Sequence, residues 1–148
     1  MTVYAQLKDK KHGNSVIWFF PTHYDHKSTL ARKNAADLMV RQMKEICNVG
    51  NLKEAGPVIF HVGDLNTTYV DDMLLGLRDN MYYARLEADG PVFSTGTYNG
   101  FKGSSSLIDH IFYGGKSVKP VKYWVDKTDY GVPFISDHYP VLFQWEYK

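Results

Sequence analysis

Cysteine is almost missing from this chain: Cys47 stands alone among 148 residues. A single thiol excludes an internal disulfide framework and a cysteine-rich zinc site. Its place at the end of an amphipathic stretch marks it as an inert thiol at the edge of the core. No excess of either charge is present, because 17 Lys and Arg meet 16 Asp and Glu. The resulting net charge of +1 leaves no electrostatic footprint for a long nucleic-acid track, although it does not forbid one. The one basic cluster, Lys8, Lys10 and Lys11, falls at an expected turn and reads as a solvated hairpin tip. No apolar run is long enough to span a membrane, the N-terminus carries no apolar signal segment, and neither a repeat nor a low-complexity tract occurs. With 44% hydrophobic and 22% charged residues, the chain has the composition of one ordinary globular domain around one core.

The hydrophobic pattern predicts strands and one long helix. Thr2 to Lys8 alternates weakly and Ser15 to Pro21 is almost continuously apolar, with Lys11-His12-Gly13-Asn14 supplying turn chemistry between them. The pair reads as a β-hairpin whose second strand ends at Pro21. Ser28 is a suitable N-cap for a helix from Thr29 to Cys47. Its apolar stripe is Ala31, Ala35, Leu38, Met39, Met43 and Ile46, with Arg32, Lys33, Arg41 and Lys44 on other faces. Pro57 leads into the buried strand Val58 to Val62, and Asp71 to Leu77 forms a short helix. Gly90 to Ser106 reads as loops around a short strand. Ile108 to Tyr113, Val118 to Val125 and Val141 to Tyr147 complete the sheet candidates. Two strands, Val16 to Phe20 and Val58 to Val62, are apolar on both faces and need cover on both sides. The long helix covers one side only.

Four short segments carry the chemistry, each at the end or entry of a hydrophobic run. Gly63-Asp64-Leu65-Asn66 follows a buried strand. By itself it is more commonly an Asx-turn or a helix cap than an anionic base and a neutral hydrogen-bonding group on one strand end. Ile108-Asp109-His110-Ile111 puts a carboxylate between apolar residues, where it requires a partner, and His138 is the natural one. His110 alternates to the opposite face of the strand and is structural. Ser136-Asp137-His138-Tyr139-Pro140 sets two ionisable residues at the entry to the last strand. Thr22-His23-Tyr24-Asp25-His26 is similar to part of the zinc motif of metallo-β-lactamase-type hydrolases, but Pro21 stands where that motif has a ligand. A zinc site there would use His23, Asp25, His26 and His61. His12 reads as a turn residue and His61 as a satisfied core histidine.

Together and in this order, the four segments resemble the centre of the endonuclease/exonuclease/phosphatase superfamily. That group includes pancreatic-type deoxyribonuclease, abasic-site endonucleases, bacterial sphingomyelinases and inositol-polyphosphate phosphatases. The resemblance runs from about Val3 to Trp145 and covers the second half of the family's domain. The first half, which carries an Asn and a metal-binding Glu on separate strand ends, has no counterpart. The fold so implied is α+β: half of a four-layer α-β-β-α sandwich, one mainly antiparallel sheet with helices on one face. Residues 1–148 would be the C-terminal half of the domain.

The function so implied is hydrolysis of a phosphodiester or phosphomonoester with Mg²⁺ or Mn²⁺. Asp64 would accept a proton from the attacking water or orient it, and Asn66 would hold the phosphate or nucleophile. His138, fixed by Asp109, and His23 would contact the phosphate, with His138 open as acid, base or clamp. Asp64, Asn66 and Asp137 would stand at the metal, whose principal Glu ligand is missing. The loop Thr95 to Phe101 resembles the one beside the catalytic strand. Its Tyr98 and Asn99, together with His26, would touch substrate, unless Gly96 and Gly100 merely hold a turn. The substrate class stays open among DNA, RNA, phospholipid and inositol phosphate. Alternative roles are a non-catalytic piece that packs on a partner, or the zinc hydrolase. The uncovered sheet face predicts a homodimer or packing on the absent half.

Overall fold

The apolar runs at 16–20 and 58–62 lie side by side at the centre of the larger sheet. The computed structural model describes residues 2–89 and 96–148, so the strand expected within Gly90 to Ser106 falls partly outside the described residues. Five strands are ordered β1-β2-β3-β5-β4: β1 Ala5–Asp9, β2 Ser15–His23, β3 Val58–Asp64, β4 Tyr82–Tyr83 and β5 Asp109–Gly114. Only β2 and β3 run parallel; the other pairs are antiparallel. β6 Val118–Val125 and β7 Val141–Tyr147 form a separate two-stranded antiparallel sheet.

Contrary to the sequence expectation, Pro21 does not end β2; the strand continues to His23. The carbonyl of Pro21 accepts a bond from the Val3 amide, so its nitrogen also faces β1, where regular pairing has already stopped at Ala5. The missing N–H therefore interrupts nothing on the β3 side.

Helix α1, Thr29–Ile46, begins where expected, with the Ser28 side chain accepting the Ala31 amide at 3.1 Å. Its buried face is turned relative to the expected stripe: Arg32, Ala36, Met39, Val40 and Met43 are inside, and Leu38 is exposed. Arg32 goes inside because its guanidinium has work there, donating to the Asp25 carbonyl at 2.9 Å. The expected helix at Asp71 is split into a 3₁₀ turn at Asp72–Leu74 and α2 at Leu75–Asn80. A one-turn helix, α3 Ala84–Glu87, has no counterpart in the sequence reading.

Side-chain alternation along β3 feeds two cores. Ile59 joins Phe20, Met39, Met43, Leu65 and Phe112 under α1. Val58 and Phe60 join Tyr113, Val118 and Tyr123, with Phe143 and Trp145 of β7 packed on them. The smaller sheet thus covers part of the face opposite α1. The remainder is a cleft of about 410 Å³ between the sheets, lined by Phe19, Phe60, Val62, Ile111, Phe143 and Trp145 among others. Cys47 is buried, and burial pushes its thiol up to about 12, in keeping with an inert role. Among the described residues no helix is long and apolar enough to cross a membrane.

Candidate active site

Strand register assembles the site. Parallel pairing of β2 and β3 brings both C-terminal ends to one sheet edge, and β5, antiparallel to β3, enters at that edge. His23 is paired with Asp64, and Asp64 with Asp109. One row across three strands therefore places three ionisable side chains on one face. His110, one residue on, points the other way into the core.

The close approach of β2 and β3 needs Gly63. Its φ is +134°, and a Cβ there would lie 1.9 Å from the Thr22 carbonyl oxygen. Beyond the strand the chain turns sharply, with Asn66 at φ +52° and its amide donating to Asp64 Oδ1 at 2.8 Å. The Asx-turn reading of this motif is thus correct, and it leaves the second carboxylate oxygen facing the site. Asp64 Oδ2 lies 3.4 Å from His23 Nε2 and 3.8 Å from His138 Nε2. Burial raises the Asp64 carboxyl above its ordinary value, the Asn66 amide pulls it down, and the Asp109 charge adds to the rise. The Asn66 side-chain amide donates to the Tyr24 carbonyl at 3.0 Å and lies 3.1 Å from His23 Nε2.

His138 arrives on the loop before β7. Its Nδ1–H donates to Asp109 Oδ2 at 2.7 Å, which fixes the tautomer and turns Nε2 towards Asp64. The pairing expected from the sequence is present. The 97–100 segment braces this loop. The Asn99 and Gly100 amides donate to the Asp137 carbonyl, and the Tyr139 amide donates to the Thr97 carbonyl. Thr97 Oγ1 also accepts the Ile108 and Asp109 amides at 3.1 and 3.0 Å. Tyr98 lies against His138, ring centroids 5.0 Å apart.

Asn99, expected at the substrate, is fully buried. Its side chain donates to the Ser136 carbonyl and accepts the Phe101 amide, so it positions the His138 loop from behind. Sequence alone does not mark Thr97 or Arg32 for these roles. The Thr97 signal lay in its motif but was masked by the aromatic and amide beside it, while a helix Arg carries no such signal. His26 is exposed on the loop before α1, and Asp25 secures that loop by accepting the Lys27 and Ser28 amides.

The zinc alternative fails on geometry. His61 is fully buried, with Nδ1 against the Phe20 carbonyl at 3.1 Å and Nε2 against the Tyr24 hydroxyl at 3.0 Å. Among the described residues, Asp64, Asp109 and His138 instead bring one ligand atom each within 4.8 Å of one another. Asp109 Oδ2 is engaged by the short bond from His138, while Asp64 Oδ2 has only the longer approaches of His23 and His138. A half-buried carboxylate with a raised proton affinity is a good partner for a divalent cation, and the donor set fits a hard ion that keeps much of its water. Asp137 lies outside this cluster, half-buried, with Ser136 Oγ at 3.5 Å.

The buried histidines give a pH prediction. His110 bonds the Tyr83 hydroxyl and the Thr67 carbonyl at 2.9 and 2.8 Å. Burial holds both His61 and His110 down to about 4, against 6.5 for an ordinary imidazole. Between those values the unfolded chain binds protons that the folded one refuses. Stability is therefore full above pH 6.5 and falls as pH drops towards 4, by on the order of 3 kcal/mol for each histidine. Urea titrations at pH 7.5 and 4.5 should show this loss, and His110→Gln should remove about half of the acid dependence. Equal midpoints at both pH values would contradict the buried neutral histidines.

The sequence of the chain matches the family described as Endonuclease/Exonuclease/phosphatase over residues 3–138. No curated protein matches it significantly. Among solved structures, a mannosyl-6-phosphatase from Bacteroides thetaiotaomicron VPI-5482 superposes with a TM-score of 0.80 at 24% identity, over 99% of this chain and 57% of that one. The human Nocturnin catalytic domain with bound sulfate gives 0.70 at 14%, over 99% and 53%. A humanized D. rerio TDP2 gives 0.69 at 16%, over 98% and 60%. These likenesses establish the fold. The chain spans a little over half the length of these three structures.

Proposed function

Because the chain belongs to the endonuclease/exonuclease/phosphatase family, we propose that it forms the C-terminal half of a metal-dependent phosphoesterase domain. The observation that carries this reading is the convergence of His23, Asp64, Asp109 and His138 at one sheet edge. Water would attack phosphorus, forming one P–O bond while the bond to the ester oxygen breaks on the opposite side. Asp64 orients that water and takes its proton, a role suited to a carboxyl whose proton affinity is raised by burial. Asn66 holds the phosphate or the water from beside it. His138, with Nδ1 tied to Asp109, directs Nε2 at the phosphoryl oxygens, and His23 flanks them from the other side.

Asp64 would hold Mg²⁺ or Mn²⁺, to which the family resemblance also assigns Asn66 and Asp137, and the ion would supply neutralisation of charge on the phosphate and the departing oxygen. The principal Glu ligand of the family would come from the other half of the domain. Magnesium binding by the 148-residue chain alone is therefore expected to be weak. Micromolar affinity by calorimetry would mean that the chain builds a whole site by itself. The test of the function is cleavage of DNA, RNA, phospholipid, inositol phosphate and sugar phosphate by the complete domain, with Mg²⁺ and with EDTA. Failure on every class, or cleavage undiminished by EDTA, would overturn the reading.

The cleft between the sheets supports a packing role beside the catalytic one. Its walls include Phe60, Val62, Ile111 and Phe143, with Phe19 at 37% exposure. We expect another sheet to close it, from the other half of the domain or from a second copy. Light scattering on the isolated chain is expected to give a dimer mass; a monomer at low micromolar concentration would exclude self-association.

A further inference from the structure

A second cavity, of about 350 Å³, shares the His138 wall of the site. We propose, on the strength of the phosphoesterase reading, that it is the subsite for a flat apolar group carried on the phosphate ester. The substrate class would then be small aryl or arylalkyl phosphate esters rather than polynucleotides, inositol polyphosphates or sugar phosphates.

Three observations converge on this assignment. The first is composition: Val132, Pro133, Phe134, Ile135, Tyr139 and Pro140 form most of the wall. Val132 and Ile135 are 51% and 71% exposed, and Phe101 extends the surface edge-on to Phe134 at 6.3 Å. A concave apolar surface of this size beside a polar centre is the usual form of a small-molecule pocket, and leaving it open to water is unfavourable.

The second is the state of its polar groups. Asp126 Oδ1 accepts the Thr128 amide and hydroxyl at 2.9 and 2.6 Å, and Oδ2 accepts the Tyr130 hydroxyl at 2.7 Å. These atoms are satisfied within the protein and offer little to sugar hydroxyls, which would lose their water without replacement. The third is charge. No Lys or Arg lines this cavity among the described residues; Lys127 sits over the Tyr139 ring, 4.9 Å from its centroid. A second phosphate beside the first would find no countercharge, which a nucleic-acid track or a polyphosphate requires.

The test uses phosphonates, which the site cannot hydrolyse, titrated by NMR into the complete domain with Mg²⁺, so that the metal site is whole. Benzylphosphonate is expected to bind at least about tenfold tighter than methylphosphonate, as burial of a phenyl ring implies, with shifts centred on Ile135 and Tyr139. Ile135→Asn and Val132→Asn, both neutral changes at exposed positions, are expected to erase that preference and leave methylphosphonate binding unchanged. Equal affinities for the two, or a hexose 6-phosphate binding as tightly as benzylphosphonate, would overturn the subsite while methylphosphonate binding that is lost in His138→Ala upheld the phosphoesterase centre. Methylphosphonate that does not bind, or binds His138→Ala equally well, would overturn that centre and the subsite with it.

Discussion

His138→Ala is expected to lower phosphate-ester turnover of the complete domain by about a thousandfold, the loss that follows removal of one preorganised charge-stabilising group. The expectation rests on direction as much as on distance. With Nδ1 bonded to Asp109 at 2.7 Å, the ring can present only Nε2 to the site, 3.8 Å from Asp64 Oδ2. Asp109→Asn should therefore also fail, by on the order of a hundredfold, because an amide neither stabilises an imidazolium nor imposes the same tautomer. Nitrogen-15 NMR separates this effect from simple misfolding: the His138 tautomer should change while the dispersion of the spectrum does not. A folded His138→Ala protein with wild-type turnover would remove His138 from the mechanism. An unchanged tautomer in Asp109→Asn would remove Asp109 as its orienter.

Much of this geometry is legible in the sequence because strand ends announce themselves. The runs at 16–20 and 58–62 stop at polar clusters, and a lone carboxylate at 109 between apolar neighbours demands a partner. The alternation that sends His110 inward and leaves Asp109 at the site follows from period two alone. The row His23–Asp64–Asp109 is not legible, since it depends on which strands pair and in what direction. Nor is the turned face of α1, because a buried guanidinium that bonds a carbonyl of the loop before its own helix looks like any surface Arg in a helical pattern. Asn99 shows the converse error. A polar residue in a glycine-rich loop invites a role at the substrate, yet its amide is spent on the loop that carries His138. Pro21 misleads for a different reason: whether its missing donor matters depends on which neighbour that edge of the strand faces.

The largest stability effect is expected at Gly63. Gly63→Ala would combine a backbone conformation that side chains rarely adopt, φ +134°, with a Cβ 1.9 Å from the Thr22 carbonyl oxygen and 3.0 and 3.2 Å from its carbon and nitrogen. None of those atoms is the end of a flexible side chain, so relief requires β2 and β3 to part at their paired residues Thr22 and Gly63. A cost above about 4 kcal/mol is expected, a large share of the 5–15 kcal/mol that typically separates folded from unfolded domains. Gly13→Ala is the control for backbone conformation alone. It has φ +65° and nothing within 4 Å of its Cβ, and should cost only about 1 kcal/mol. Urea midpoints for the two variants test the difference. Equal midpoints would mean that the strands are not so close as the 1.9 Å approach requires. A Gly63→Ala protein that still folds should show the consequence at the site, because the same strand contact sets His23 Nε2 at 3.4 Å from Asp64 Oδ2. Its phosphonate binding should weaken even where its secondary structure survives.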